Sequence, residues 1–312
     1  MNKLVVSPAP HIKSGRTTQK IMWIVIASLA PAGIAGVYIF GMSSLYVIAL
    51  SILSCIFAEA LFLKFRNKDP KIVLDGSAIL TGLLLAYNLP PQVPFWIPVI
   101  GGCVSIVLGK QLFGGLGQNI FNPALVGRAF LQISWPVYMT TWKAPRWWPD
   151  ALSTATPLAK EGAQHFTYMD LFLGNRAGSL GEVCVIALLA GAIFLLVTRI
   201  ISLHIPLSFI GTVGIITWLF GKEGFFKGDF IFNILAGGII LGAFFMATDY
   251  VTSPLTKKGR IIFGIGCGIL TAVIRLRGGY PEGVCYSILF MNAAVPIIDR
   301  FTKTKKYGFV KK

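Results

Sequence analysis

Long apolar runs separated by short polar stretches occupy the chain from residue 22 to residue 299. A helix needs about 20 apolar residues to cross the hydrocarbon layer, and a shorter helix suffices where it ends inside protein. On this basis we predict ten transmembrane segments, with ends defined to within about one helical turn. They span residues 22–40, 45–63, 73–89, 95–113, 119–135, 183–198, 205–220, 230–247, 261–275 and 284–299.

The ten segments form two sets of five, on either side of one long connection at 136–181. Residues 79–82 resemble 234–237, and residues 113–115 resemble 277–279, at a separation of about half the chain. A duplicated unit with an odd number of spans must be inverted across the membrane, as in many transporters. We therefore predict an all-α polytopic membrane protein of about ten transmembrane helices, arranged as two inverted five-helix repeats with broken helices. Chance similarity between glycine-rich helices is the alternative to a repeat.

Glycine-rich stretches interrupt the apolar pattern once in each half, at 114–119 and at 278–283. Paired interruptions are typical of helices that break around a ligand or ion near the membrane midplane, and surface loops are the alternative explanation. The pattern divides the chain into an N-terminal segment (1–20), a first repeat (21–135), an outer-face loop (136–181), a second repeat (182–300) and a basic tail (301–312).

The composition excludes a water-soluble globule, and in a membrane protein an excess of positive charge reports topology. The chain is 55% hydrophobic and 13% charged, whereas soluble domains carry about 25% charged residues. Its 28 Lys and Arg against 12 Asp and Glu give a net charge of +16. In a soluble protein this excess would suggest nucleic acid, but most of these cations, Lys110 included, fall in alternate connections and at both ends. By the positive-inside rule both termini are cytoplasmic and the loop at 136–181 is on the outer face, with lipid rather than nucleic acid as the partner.

Polar side chains within apolar segments are costly in lipid and so indicate function or pairing. Glu59, Asp249 and Glu282 are candidates for an ion path, with buried structural pairs as the alternative. The depth of Arg128 predicts a buried partner. Asp75 is predicted to cap a helix or to form an interfacial ion pair. No two of the five cysteines have the spacing of a metal site, and we predict no metal on this chain.

Residues 150–158 of the outer loop read Asp-Ala-Leu-Ser-Thr-Ala-Thr-Pro-Leu. From the residues alone this cluster predicts a turn or a cap. It resembles the flavinylation motif, S/T-G-A-T, of the family that contains the D subunit of the Rnf complex and the B subunit of the sodium-translocating NADH:quinone reductase. Residues 114–130, 246–254 and 277–284 also resemble this family, in its order.

The resemblance implies that FMN is joined through its phosphate to the hydroxyl of Thr156, with Asp150, Ser153 and Ala155 in the recognition turn. Thr154 stands where the motif has glycine, and it offers a second hydroxyl. A separate flavin transferase is expected to make the bond. The resemblance also implies a non-covalent riboflavin near Asn119 and Asn122, whose amides could bond to the flavin ring.

The function implied by the resemblance is that of a membrane subunit in an ion-translocating ferredoxin:NAD oxidoreductase, the Rnf complex. Such a subunit relays electrons through FMN and couples them to the movement of Na+ or H+ across the bacterial cytoplasmic membrane. Because the chain lacks a G-x-G-x-x-G turn between a strand and a helix, the other subunits of the complex are expected to bind nicotinamide, and this chain is not catalytic alone. A small-solute transporter or channel with an inverted-repeat pore is the alternative, and an inert scaffold is a third.

Overall fold

The computed structural model describes residues 17–148, 158, 166–221, 224–278 and 283–303, and this part of the protein is predominantly helical. Six of its helices lie before residue 149: α1 (Thr18–Phe40), α2 (Met42–Phe65), α3 (Ser77–Tyr87), α4 (Trp96–Ile106), α5 (Pro123–Ser134) and α6 (Pro136–Thr140). Seven lie after residue 165: α7 (Tyr168–Leu173), α8 (Val185–Val197), α9 (His204–Leu219), α10 (Phe230–Leu235), α11 (Ile239–Leu241), α12 (Lys257–Arg277) and α13 (Val284–Phe301).

Every one of the ten predicted segments is helical over part of its length. Among the described residues, four helices are long and apolar enough to be clear candidate membrane spans, namely α1, α2, α12 and α13. Others are shorter, and α3 and α4 have 11 residues each. Short apolar helices can end at membrane depth only where neighbouring protein satisfies their backbone groups. The protein therefore has a polytopic helical architecture in which many helix ends are internal.

The eighth predicted segment is not one helix. It consists of α10, an irregular stretch at Ala236–Gly238, α11 and a π-helical turn at Gly242–Met246. Gly237 has a φ of 73°, a conformation that favours glycine. A two-stranded hairpin, β1 (Phe220–Gly221) with β2 (Gly224–Phe225), also departs from the all-α expectation.

Two stretches that match in sequence differ in conformation. Gly82 lies within α3, where its lack of a side chain lets α3 approach α2; a Cβ atom there would lie 2.7 Å from the Ile52 Cα. Gly237, its counterpart in the sequence match, lies instead at the helix break. Local sequence similarity between the halves therefore does not carry over to the same backbone shape at this position.

The helix ends define two faces of the molecule. We call the end where α1 begins the near face; there the Gln19 side-chain amide donates to the Leu74 carbonyl, just before α3 begins (3.0 Å). We call the end where α1 finishes the far face; there the Arg146 amide donates to the Ile39 carbonyl (3.0 Å). The amide of Leu180 also donates to the Leu89 carbonyl, beyond the end of α3 (3.1 Å). The described parts of the long connection therefore contact the far face.

Equivalent helices pack together in the two halves. In the first half α2 packs on α3 and α4, and α4 packs on α5. In the second half α9 packs on α10 and α12, and α12 packs on α13. Small residues permit the closest approaches, since a side chain at Gly102 of α4 would overlap the Ser54 hydroxyl of α2. In the same way, a side chain at Gly264 of α12 would overlap the Ser208 hydroxyl of α9.

Candidate functional site

A cavity of about 90 Å³ lies near the beginning of α1, at the near face. Asn119, Asn122 and Asp249, three residues selected from the sequence, line it together with Ser77 and Lys110. The remaining lining is largely apolar and comes from α1, α3, α8 and residues 244–251. A volume of this size holds a few water molecules. The structure thus brings two predicted flavin contacts and one predicted ion-path acid to one place.

A buried ion pair joins α2 to the turn that follows α4. The Lys110 Nζ lies 2.6 Å from the Glu59 Oε1, and each side chain is 2% exposed. The Gln111 amide donates to the same oxygen (2.7 Å), and the Lys110 ammonium also donates to the Ser77 hydroxyl (2.6 Å). Residues Val107–Gln111 form a π-helical turn, so that two consecutive side chains reach Glu59. Glu59 thus forms a buried structural pair, the alternative to an ion-path role in the sequence analysis.

Lys110, which the charge pattern assigns to a cytoplasmic connection, is buried, because its side chain pairs with Glu59 of a distant segment. The expectation of a partner for Arg128 is confirmed, since its guanidinium donates to the Asn88 side chain. Asp75 precedes Gly76, the N-cap of α3, and its Oδ1 accepts the amide of Ser77, the first residue of the helix, at 2.7 Å.

The two asparagines at the cavity have different roles. Asn122 is the N-cap of α5: its Oδ1 accepts the amide of Ala124 (3.1 Å), and its Nδ2 donates to the Met246 carbonyl (3.3 Å). The Asn119 side chain is buried, and its Nδ2 donates to the Phe121 carbonyl (3.0 Å). Asn122 therefore fixes α5 to the π-helical turn of the eighth segment.

The first glycine-rich interruption is irregular, as predicted. Gly114, Gly115 and Gly117 all have positive φ, at 122°, 106° and 90°. This loop brings the chain from the end of α4 to Asn119 at the cavity. Most of the second interruption, residues 279–282 with the candidate acid Glu282, lies outside the described residues.

Asp249 borders the cavity from the loop that follows the eighth segment. Its Oδ2 accepts a hydrogen bond from the Thr252 hydroxyl (3.1 Å). Burial raises the pKa of Asp249 above its ordinary value, although the bonds from Thr252 and from the backbone oppose this shift. A carboxyl group in this setting holds a proton more strongly than one in water.

A second cluster of buried charge lies close to the far face, and no residue pattern predicted it. Arg176 is 1% exposed, and its Nη2 donates to the Glu182 carbonyl (2.7 Å). The Glu182 carboxylate accepts the Ser179 amide through Oε1 (3.1 Å). The Arg176 Nε and Nη1 and the Glu182 Oε2 have no hydrogen-bond partner within the described part of the chain. Burial lowers the pKa of Arg176 to about 10, and the Glu182 charge opposes this shift.

Arg275 of α12 completes this far-face cluster at the break of the eighth segment. It donates to the Asn233 carbonyl (2.6 Å) and to the Ala236 carbonyl (3.1 Å), which α10 leaves unpaired where it ends. A Cβ atom at Gly237 would lie 2.8 Å from both the Arg275 Nη2 and the Leu158 Cδ1. One at Gly238 would lie 2.8 Å from the Glu182 Oε2. The break therefore brings together three charged residues and Leu158.

The predicted topology puts Arg176 in the outer-face loop and Arg275 at the end of the ninth predicted segment. The signal in the sequence was weak: Arg176 and Glu182 flank a run of small residues, and Arg275 follows an apolar run directly. Neither pattern identifies a partner, because the contacts join residues far apart in the chain.

The predicted flavin motif, with Asp150, Ser153, Thr154, Ala155 and Thr156, lies outside the described residues. Its flanks are described. The rings of Trp148 and Phe166 stack, with centroids 6.0 Å apart and planes at 18°. The indole nitrogens of Trp147 and Trp148 both donate to the Asn175 Oδ1, at 2.8 and 2.7 Å. The two flanks of the motif therefore meet at Asn175, the residue that precedes Arg176.

Comparison with known proteins identifies the family. The family model described as NQR2, RnfD, RnfE matches residues 5–308. A protein of Clostridium ljungdahlii, named as the D subunit of a proton-translocating ferredoxin:NAD(+) oxidoreductase complex, is 49% identical, over 98% of this chain and 97% of its own.

Two further relatives cover both chains almost completely. A protein of Acetobacterium woodii, named as the D subunit of a Na(+)-translocating ferredoxin:NAD(+) oxidoreductase complex, is 47% identical over 99% of this chain and 96% of its own. A protein of Escherichia fergusonii, named as the D subunit of an ion-translocating oxidoreductase complex, is 36% identical over 97% and 98%. This chain belongs to the NQR2, RnfD, RnfE family.

Proposed function

We infer that this protein is the membrane-embedded D subunit of an ion-translocating ferredoxin:NAD oxidoreductase complex in the bacterial cytoplasmic membrane. The observation that carries this proposal is similarity over nearly the full length of both chains, at 47–49% identity, to two relatives named as the D subunit of a ferredoxin:NAD(+) oxidoreductase complex. The helical architecture with four clear candidate spans is consistent with it. The chain works with the other subunits and is not catalytic alone. Both termini are cytoplasmic in this proposal, so the far face is the outer face.

The electron relay of the subunit is FMN, joined by a flavin transferase through its phosphate to Thr156. A flavin accepts two electrons and passes them singly, which suits a position between other carriers. The proposal rests on the motif at 150–158, where Asp150, Ser153 and Ala155 form the recognition turn. It is supported by the contacts that hold the two flanks of this connection together at Asn175.

Covalent flavin is tested by producing the protein with and without the transferase and by viewing a denaturing gel under ultraviolet light. We expect fluorescence only with the transferase, its loss in Thr156→Val and its retention in the matched control Thr154→Val. The peptide containing Thr156 should gain the mass of FMN minus water. Fluorescence that persists in Thr156→Val would refute the assignment. A solute transporter, the alternative function, would carry no covalent flavin in any of these samples.

A non-covalent riboflavin at the near-face cavity is a second cofactor proposal. Both Asn119 and Asn122 line the cavity. Asn119 is the stronger contact because its amide bonds only to the nearby Phe121 carbonyl, whereas the Asn122 amide bonds both to α5 and to Met246. Acid precipitation should release riboflavin into the supernatant, where chromatography measures it. We expect riboflavin from the wild type and less from Asn119→Leu. A wild type that releases none would refute the site.

For ion coupling we propose that a reduced flavin adds negative charge and thereby favours cation uptake by an acid of this chain. Glu59, Asp249 and Glu282 are the candidates. Asp249 is favoured because it borders the cavity and its pKa is raised, whereas Lys110 already neutralises Glu59. The relatives are named for different ions, so uptake of H+ and of Na+ should both be measured per electron in proteoliposomes containing the whole complex. Asp249→Asn should lower the ratio most; unchanged ratios in Asp249→Asn, Glu59→Gln and Glu282→Gln would remove these acids from the path.

The two inverted five-helix repeats remain our proposal for the architecture. It is supported by the equivalent helix pairs in both halves and by the close approaches at Gly102 and Gly264. Exposed lysines that follow the second helix of each repeat, Lys68 and Lys227, then belong on opposite sides of the membrane. Single cysteines introduced at these positions should react with an impermeant maleimide from opposite sides. Labelling of both from the same side would refute the inversion.

A further inference from the structure

The far-face cluster of Arg176, Glu182 and Arg275 is unbalanced. It contains two guanidinium groups and one carboxylate, and no ion pair within 4 Å joins them in the described part of the chain. The Arg176 Nε and Nη1 and the Arg275 Nε have no acceptor there, although all three atoms are buried. Burial without a partner is costly for a charged donor, and such groups are usually paired with an anion or a ligand.

The chemistry of the cluster selects its ligand. One net positive charge matches the single negative charge of a phosphodiester, and guanidinium groups suit its oxygen acceptors. A metal cation would be repelled by the two arginines.

The position of the cluster indicates where a phosphodiester could come from. Leu158 and Arg275 both approach Gly237 closely enough that a Cβ atom there would lie 2.8 Å from each. Leu158, which follows Thr156 by two positions in the sequence, is therefore next to the cluster.

We propose that Arg176 and Arg275, balanced by Glu182, form a buried phosphodiester-binding site at the break of the eighth segment. The FMN–threonine linkage is the first source of this group, and that source rests on the proposed function. The headgroup phosphate of a membrane lipid is the second. In either case the two arginines are binding residues that fix a phosphate against the protein, and they take no part in electron transfer.

The test compares the thermal midpoints of the full-length protein made with and without the flavin transferase. We expect flavinylation to raise the midpoint of the wild type by roughly 3 °C. In Arg176→Gln this gain should vanish while covalent fluorescence on the gel remains. Arg146→Gln removes an exposed arginine of the same face and should keep the full gain. Phosphorus in organic extracts of the unflavinylated protein measures bound lipid, and a lipid site predicts a loss of phosphorus in Arg176→Gln.

Loss of the flavin-dependent gain in Arg176→Gln supports the FMN source, and loss of extractable phosphorus supports the lipid source. An equal gain in Arg176→Gln and the wild type, with unchanged phosphorus, overturns the site but leaves the flavin assignment intact. Absent fluorescence in the wild type instead refutes the proposed function, and the lipid measurement then decides the site alone.

Should Arg176→Gln not fold, phosphorus NMR of the flavinylated wild type replaces it. A buried diester keeps a sharp resonance when Mn2+ is added. A resonance that Mn2+ broadens fully, together with an absence of phosphorus in organic extracts of the unflavinylated wild type, overturns the proposal.

Discussion

The near-face and far-face clusters bury the same kinds of charge but balance them differently. At the near face Lys110 and Glu59 are in direct contact, and Gln111 and Ser77 add further bonds to them. At the far face the cluster contains two arginines and one carboxylate, and the carboxylate forms an ion pair with neither arginine in the described part of the chain. A closed pair ties helices together and leaves no charge for a ligand, whereas an open cluster keeps charge and donors available. The comparison separates a structural network from a candidate binding site.

Breaking the near-face pair should have the largest effect. Lys110→Met leaves Glu59 buried without its cation and should cost about 3–5 kcal/mol of stability. The measurement is the thermal midpoint of the purified protein in detergent. The double variant with Glu59→Gln should recover much of the loss, and Lys64→Met, an exposed control in the last turn of α2, should change little. If Lys110→Met melts like the wild type, the near-face pair is not a structural network.

Filling the break beside the far-face cluster should have the next largest effect. Gly237→Ala places a methyl group in a positive-φ position, 2.8 Å from the Arg275 Nη2, and should cost about 1–3 kcal/mol. Gly211→Ala in α9 is the matched control: a Cβ atom there meets nothing within 4 Å, so it should stabilise by about 0.5–1 kcal/mol. Thermal midpoints that move in the same direction would contradict this assignment of strain to the break.

Removing the cap at the near-face cavity should have a moderate effect. Asn122→Ala removes the acceptor for the first turn of α5 and should cost about 1 kcal/mol. Asn122→Asp keeps that acceptor and loses only the donor to the Met246 carbonyl, so it should cost less. Chemical denaturation followed by tryptophan fluorescence gives both values. A larger loss in Asn122→Asp would mean that the bond to Met246, and not the cap, dominates.

The smallest effect concerns an exposed charge of the far face. The Thr167 hydroxyl, with help from Asn175, lowers the pKa of Asp170 in the capping box of α7. Because the folded-state pKa lies below the unfolded one, this stabilisation exists at neutral pH and disappears as the pH falls through the folded-state value. Asp170→Asn should therefore melt slightly lower than the wild type at pH 7, by about 0.5 kcal/mol, with the gap closing towards pH 3. A difference in melting between the two proteins that grows on acidification would mean that folding raises the pKa of Asp170 instead of lowering it.

What the sequence could predict depended on whether the signal was local. Each predicted apolar segment is helical over part of its length, because burial in lipid or protein acts on contiguous residues. The hydrogen bond that Asp75 accepts at the start of α3 agrees with its place before a helix. The partner of Lys110 lies 51 residues away, and a lysine near the end of an apolar run is equally typical of a membrane anchor. The far-face cluster could not be predicted for the same reason. Arg275 bonds to backbone carbonyls about 40 residues earlier in the chain, and a backbone carbonyl leaves no signal in a pattern of residue types.

The stacked rings of Trp148 and Phe166 have a consequence for kinetics. They hold Trp148 and Phe166, the two ends of the connection between them, at one point of the far face. A redox group joined covalently to a connection held in this way keeps a high effective concentration towards a neighbouring carrier. If the proposed flavin is carried there, electron arrival depends on its tether rather than on diffusion of a free cofactor.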